Sequence, residues 1–330
     1  MHPGQRGTKV ADEEREFGII GLGRMGANLA IQAMEKGMRV VGIDKEKISA
    51  DLIKTPLIVA KSLAELKKKL QTARCIFLYI PAGPAVDSAL NELASILDKG
   101  DLLIDGGNSY WGDSIRRYQR MKGKGIRFID LGTSGGIEGA RHGACFMAGG
   151  DRDAVELIEP VLKELAVPGG YMHAGAPGAG HFTKLVHNGI EFGMLQAIGE
   201  GVDLLEHYHE KLDVAEILRC YRHGSVIRSW LMDLMEAAYR SEGGLENVPA
   251  YVEDTGEVNW LVDDAIRMGI PVPVIAHSVM QLFLSRDERK YWARAIAMMR
   301  HGFGGHCYGS DEAVKRERRE GRIGGFFHKP

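Results

Sequence analysis

The chain has 330 residues, enough for two domains that each bury a core, and its 45% hydrophobic and 26% charged content is that of an ordinary globular protein. A formal net charge of -2 without a basic face excludes nucleic acid as an expected partner, and the short, interrupted apolar runs exclude a membrane span. Cys75, Cys145, Cys220 and Cys307 are far apart with no CxxC pair, and residues 1–16 lack the apolar stretch of a signal peptide, which fits reduced thiols in a cytoplasmic protein.

Residues 1–16 read as a disordered lead-in. The first domain is expected over 17–177 and begins with a short apolar strand at 17–21. The GLGRMG loop follows (Gly21, Leu22, Gly23, Arg24, Met25, Gly26), then a helix to about 36 and a second strand, RVVGID, that ends on Asp44. This is strand, G-x-G-x-x-G, helix, strand and acid, with Asp44 18 residues beyond Gly26, close to the spacing of about 20 for a ribose-binding carboxylate. The pattern predicts dinucleotide binding, because the glycines let a pyrophosphate approach the N–H groups at a helix N-terminus. Asp44 can accept hydrogen bonds from a free ribose diol and would repel a 2′-phosphate. Lys45 offsets only part of that repulsion, so NAD is expected over NADP.

Strand and helix signals then alternate over 74–80, 84–97, 101–105, 113–122, 126–130, 144–148 and 151–165, which predicts a mostly parallel, doubly wound Rossmann-type sheet. Loops rich in glycine follow successive strands: YIPAGP (79–84, with Ile80, Pro81 and Ala82), DGGNSY (105–110) and LGTSGGIEGARHG (131–143). Any one of them reads as a tight turn, but together they lie where open α/β sheets place ligands.

Beyond Pro177 the strand signal fades, and helical segments are expected over 178–208, 213–223, 226–240, 257–268, 272–286 and 288–300. The second domain, 178–330, therefore reads as all-helical, interrupted by SEGGLENVP (241–249) and ending in a basic KRERRE (315–320) and a GGFF segment at 324–327. Its first helix carries Lys184, His187, Asn188 and Glu191 at offsets of three, four and seven residues, one stripe of amine, imidazole, amide and carboxylate. Such a stripe is commonly a solvated face. Here it is flanked by apolar residues and holds Gly189 and Gly193, which cost about 1 kcal/mol each in a helix unless something approaches the backbone. No further His, Asp or Glu completes a coordination sphere around His187 and Glu191, so no metal is expected.

Taken together, GLGRMGANLA (21–30), IDGGNS (104–109), SGGIEGARHG (134–143), GHFTKLVHNGIEFG (180–193) and RHGFGGH (300–306) resemble the decarboxylating 6-phosphogluconate dehydrogenases, in their short form. The resemblance implies roles residue by residue. Lys184 would be the base for the substrate 3-hydroxyl, and Glu191 the acid that protonates C1 after CO2 leaves. Ser134, Gly135 and Gly136 would hold the carboxylate, His187 and Asn188 would orient the hydroxyls, and Asn108 would lie between nicotinamide and substrate. Arg300 and His306 would reach a neighbouring subunit's active site, which implies a homodimer or homotetramer. The chemistry is consistent with this, since a β-keto acid loses CO2 through an enol with one base and one acid and no metal.

The phosphate-binding half departs from the family pattern. Phe192 replaces a tyrosine, Asn259 and Leu261 stand for a basic residue and a threonine, and Leu282 stands where an arginine is expected, with Arg286 one turn later. The leading expectation is NAD-dependent oxidative decarboxylation of 6-phosphogluconate. The alternatives are the same reaction on an unphosphorylated or differently phosphorylated aldonate, a β-hydroxyacid dehydrogenase, and a non-catalytic NAD-binding protein.

Overall fold

The computed structural model describes residues 15–320. The strands are β1 (Glu16–Ile20), β2 (Arg39–Ile43), β3 (Ile58–Val59), β4 (Cys75–Leu78), β5 (Leu102–Asp105), β6 (Arg127–Ser134), β7 (Ala144–Gly149) and β8 (Ala166–Gly175). The helices that cover them are α1 (Arg24–Glu35), α2 (Ala50–Ile53), α3 (Leu63–Lys69), α4 (Pro84–Ile96), α5 (Trp111–Lys122), α6 (Gly136–His142) and α7 (Arg152–Leu165). The strands form one sheet in the order β3-β2-β1-β4-β5-β6-β7-β8, parallel throughout except between β6 and β7.

A sheet covered on both faces should read as apolar runs whose alternate residues enter different cores. In β5, Leu102 and Ile104 join one buried cluster with Phe17, Leu29, Phe77 and Leu162, while Leu103 joins another with Leu78, Leu90, Met121 and Phe128. Chain order reverses at β1, which lies between β2 and β4. That switch point opens the crevice in which a doubly wound sheet binds its ligand.

Four features of this half differ from the sequence expectation. The first strand begins at Glu16, within the supposed lead-in, because its carboxylate pairs with the Arg39 guanidinium and accepts from Gln71 N. Residues 1–14 and the GGFF segment lie outside the described residues. The region 49–69 contributes α2, β3 and α3, and 166–175 forms a ten-residue edge strand, β8, despite Pro168, Gly169 and Gly170. The SGG loop is shorter than expected, since β6 runs on to Ser134 and α6 starts at Gly136.

After β8 the described chain is helical: α8 (Ala179–Glu206), α9 (Val214–Tyr221), α10 (Trp230–Glu242), α11 (Glu257–Met268), α12 (Pro273–Arg286), α13 (Tyr291–Gly304) and α14 (Glu312–Glu320). Two compact units divide the chain at Asn188 and Gly189, inside α8. In the second unit, Val202, Val214, Leu218 and Met232 form a small core. Arg222 adds ion pairs with Asp233 (2.7 Å) and Glu236 (2.6 Å).

Candidate active site

The glycine loop is shaped by what its residues would collide with. Gly21 has φ +94, and a Cβ there would come within 2.3 Å of the Tyr79 carbonyl oxygen. A Cβ at Gly26 would sit 2.0 Å from the Gly21 carbonyl oxygen. Gly23, by contrast, faces open space. It is the N-cap of α1, without a side-chain cap and with no acidic residue in the first helical turn. A helix N-terminus left bare in this way fits a dinucleotide pyrophosphate. Asp44 closes the other side. Its carboxylate accepts from the backbone N–H of Leu22 and, at 2.8 Å, of Glu46, while Lys45 next to it is exposed.

The loops after β4 and β5 are tied together by a residue that the sequence pattern did not single out. Arg117 of α5 is fully buried, and so is its ion-pair partner Asp105, 3.2 Å away. The same guanidinium donates to Ser109 Oγ (3.1 Å), to the Gly83 carbonyl (3.0 Å) and to Asp87 (3.1 Å). A buried arginine is tolerable only with its donors satisfied, and here they bridge the YIPAGP and DGGNSY loops. Asn108 lies exposed at the turn this network supports, and Ile80, Pro81 and Ala82 range from half-buried to exposed beside it.

The first turn of α8 is anchored on β6. The Asp130 carboxylate accepts from Gly178 N (2.7 Å) and His181 N (2.8 Å), although burial pushes its pKa above the usual carboxylate range. Close approach of strand and helix requires glycine. A Cβ at Gly132 would stand 2.6 Å from Lys184 Cβ, and one at Gly180 2.5 Å from the Asp130 carbonyl oxygen. Ser134 is thereby brought to the helix stripe, and His187 Nε2 lies 2.9 Å from Ser134 Oγ. His187 Nδ1 lies 3.3 Å from both Lys184 Nζ and Asn188 Oδ1. Ser134, His187, Asn188 and Lys184 are therefore one connected polar group. The SGG turn next to it uses left-handed backbone at Gly135 (φ +111) and Gly136 (φ +58). Arg141 of α6 forks onto Glu35 of α1 with both contacts at 2.6 Å, joining the SGG helix to the glycine-loop helix.

The remaining expected site residues belong to the second unit. Glu191 is half-buried on the continuing α8. Gly189 has its packing reason, since a Cβ would meet Leu261 Cδ2 at 2.4 Å and Ile275 Cδ1 at 3.1 Å, whereas the same test at Gly193 finds only ordinary contact. Leu261 is thus buried against the helix backbone. Arg286 is committed within the chain: its guanidinium reaches Asp254 (2.9 Å), Glu253 (3.0 Å) and the Val252 carbonyl (3.1 Å). Arg300 is exposed on α13, and half-buried His306 packs its ring on Gly304.

Comparison with known proteins agrees across both units. The family described as the NAD binding domain of 6-phosphogluconate dehydrogenase matches residues 16–175, and that described as the 6-phosphogluconate dehydrogenase C-terminal domain matches 180–300 and 206–328. YqeC of Bacillus subtilis (strain 168), provisionally named a 6-phosphogluconate dehydrogenase, is 42% identical over 293 residues, covering 88% of this chain and 98% of its own. The NAD(+)-dependent, decarboxylating 6-phosphogluconate dehydrogenase of Haloferax volcanii is 37% identical over 297 residues, covering 88% and 97%. Among solved structures, Plasmodium falciparum 6-phosphogluconate dehydrogenase, studied with NADP+ and with 6-phosphogluconate, superposes with a TM-score of 0.76 at 25% identity. That match covers 90% of this chain and 66% of the Plasmodium chain.

Proposed function

The chain belongs to the 6-phosphogluconate dehydrogenase family, and from that premise we propose that it oxidises and decarboxylates 6-phosphogluconate to ribulose 5-phosphate and CO2 with NAD as the preferred cofactor. The observation that carries this reading is the hydrogen-bonded group Ser134–His187–Lys184, held against β6 in the same unit as a bare glycine-loop helix end.

When bound, the nicotinamide supplies the hydride acceptor. Gly23 and the free N–H groups of α1 would take its pyrophosphate, and Asp44 its ribose diol. Ser134 and the SGG turn would hold the substrate carboxylate. His187 and Asn188 would orient the hydroxyls so that Lys184 removes the proton of the one being oxidised. The resulting β-keto acid loses CO2, leaving the bonding pair in an enediol that Glu191 would protonate at C1.

Cofactor choice rests on Asp44. The Haloferax relative is named as NAD(+)-dependent and NADP+ is named as the cofactor of the Plasmodium enzyme, so relatives use either. A carboxylate held in place by Leu22 N and Glu46 N would repel a second anion brought beside it. NAD should give the higher kcat/KM in the wild type, and Asp44→Ala should narrow or reverse the ratio. Because Asp44 also steadies the glycine loop, KM should rise for both cofactors, and only the ratio is diagnostic. A wild type that favours NADP would refute the assignment.

Phosphate recognition falls to Arg300 and His306, since Arg286 is engaged by two carboxylates. None of the described residues of α13 is buried, and Trp292, Met299 and Phe303 are exposed on it. An apolar helix left in the open supports assembly of copies of this chain, in which Arg300 would serve a neighbour's site. The decisive assay is kcat/KM for gluconate and 6-phosphogluconate side by side. With phosphate recognised, the ester should be much the better substrate, and Arg300→Ala should raise its KM by roughly tenfold or more with little change in kcat. Equal rates for gluconate would hand the assignment to an unphosphorylated aldonate, the reading favoured by Phe192, Asn259, Leu261 and Leu282.

A further inference from the structure

Tyr79 lies outside every role assigned above, yet four segments of the first unit meet on it. Its backbone N–H donates to the Ile20 carbonyl at 2.8 Å, continuing the β1–β4 ladder by one step. Its carbonyl oxygen is the atom a Cβ at Gly21 would strike, and its own Cβ lies 3.3 Å from the Cβ position at Gly26. The ring, stacked on Phe77 with centroids 6.2 Å apart, forms the floor under the DGG turn. A Cβ at Gly106 would come within 2.7 Å of ring carbon Cζ. The hydroxyl then crosses to β6, 3.0 Å from Thr133 Oγ1. Thr133 immediately precedes Ser134, whose Oγ meets His187 Nε2.

We propose that Tyr79 is a positioning residue: through its hydroxyl bond to Thr133 it sets Ser134, and through Ser134 the tautomer and orientation of His187, in register with the cofactor loops. The inference rests on the proposed reaction for its kinetic consequence but not for its structural one. A tyrosine serving only as packing would need a hydroxyl partner and nothing more. What distinguishes Tyr79 is where that partner sits, one residue from the Ser134–His187–Lys184 group, while the other end of the same side chain is built into the glycine loop. Burial holds the phenol protonated, so the hydroxyl keeps its proton for the bond to Thr133.

The test compares Tyr79→Phe, Thr133→Val, the double variant and Thr133→Ser. Tyr79→Phe keeps the ring and so the floor under Gly106, and should stay folded. Two readouts are taken. In ¹⁵N histidine NMR of the wild type, His187, assigned by its loss in His187→Asn, should show one fixed tautomer. In Tyr79→Phe and Thr133→Val it should average between tautomers, and Thr133→Ser should restore the fixed one. In turnover of 6-phosphogluconate, the two single variants should each lose roughly tenfold in kcat with unchanged NADH binding, and the double variant should be no worse than either. Unchanged His187 signals in Tyr79→Phe would overturn the inference, as would additive losses in the double variant. If the wild type turns over no sugar acid, the functional reading fails by itself, and the His187 signals still decide the role of Tyr79.

Discussion

Replacing Lys184 by methionine is expected to lower the rate of sugar-acid oxidation by about 10²–10⁴, the usual worth of a positioned general base, while NADH still binds. The choice of methionine follows from the packing. The Lys184 stem lies against the backbone of Gly132, where a Cβ would be 2.6 Å from Lys184 Cβ, so an unbranched replacement disturbs this contact least. Methionine keeps that stem and removes only the amine that lies 3.3 Å from His187 Nδ1. Lys184 belongs to the His187–Ser134 group, so a fluorescence titration with NADH should separate loss of chemistry from loss of fold. Near wild-type turnover in Lys184→Met would remove the base from the mechanism. Equal loss of NADH binding would show that the substitution had damaged the fold instead.

The parts of this site that were legible in sequence are those with a local signature. The glycine loop, Asp44 at the end of β2 and the 0, 3, 4, 7 spacing on α8 each follow from the period of one element or a short run of turn residues. The edge strand β8 was hidden because Pro168, Gly169 and Gly170 are poor strand formers. Yet pairing with β7 overrides them, with register shifts along the way. The helix α6 was hidden by its two leading glycines, which adopt positive φ and read as a turn. Less accessible still were Arg117, Asp130 and Tyr79. Tyr79 and Thr133 are 54 residues apart, and Asp130 and His181 are 51 apart. Each looks like an ordinary core or surface residue in its own window, and only the sheet order makes it a partner. Arg286 shows the converse: helical spacing placed it one turn from the expected arginine position, but the carboxylates of Asp254 and Glu253 come from a loop that the spacing could not reveal.

Glu191→Gln should also cost about 10²–10⁴ in steady-state turnover, but by a different route that pre-steady-state kinetics can resolve. Oxidation of the hydroxyl precedes loss of CO2, and in the proposed mechanism it needs Lys184 and not Glu191. The variant should therefore form NADH in a burst close to one equivalent per active site and then stall, because glutamine is isosteric with glutamate and has no proton to give the enediol carbon. Lys184→Met, which lacks the base for the first step, should show no burst. The fate of the new C–H bond adds a second criterion. In D2O the wild type should place deuterium at C1 with one stereochemistry, since a side chain fixed on α8 delivers it to one face. Residual product from Glu191→Gln should be labelled on both faces, because solvent then protonates an enediol without guidance. A variant that turns over within a few-fold of wild type, or that keeps stereospecific labelling, would show that another group donates the proton. Absence of the burst would instead assign Glu191 to the oxidation step, and the division of labour along this helix would have to be redrawn.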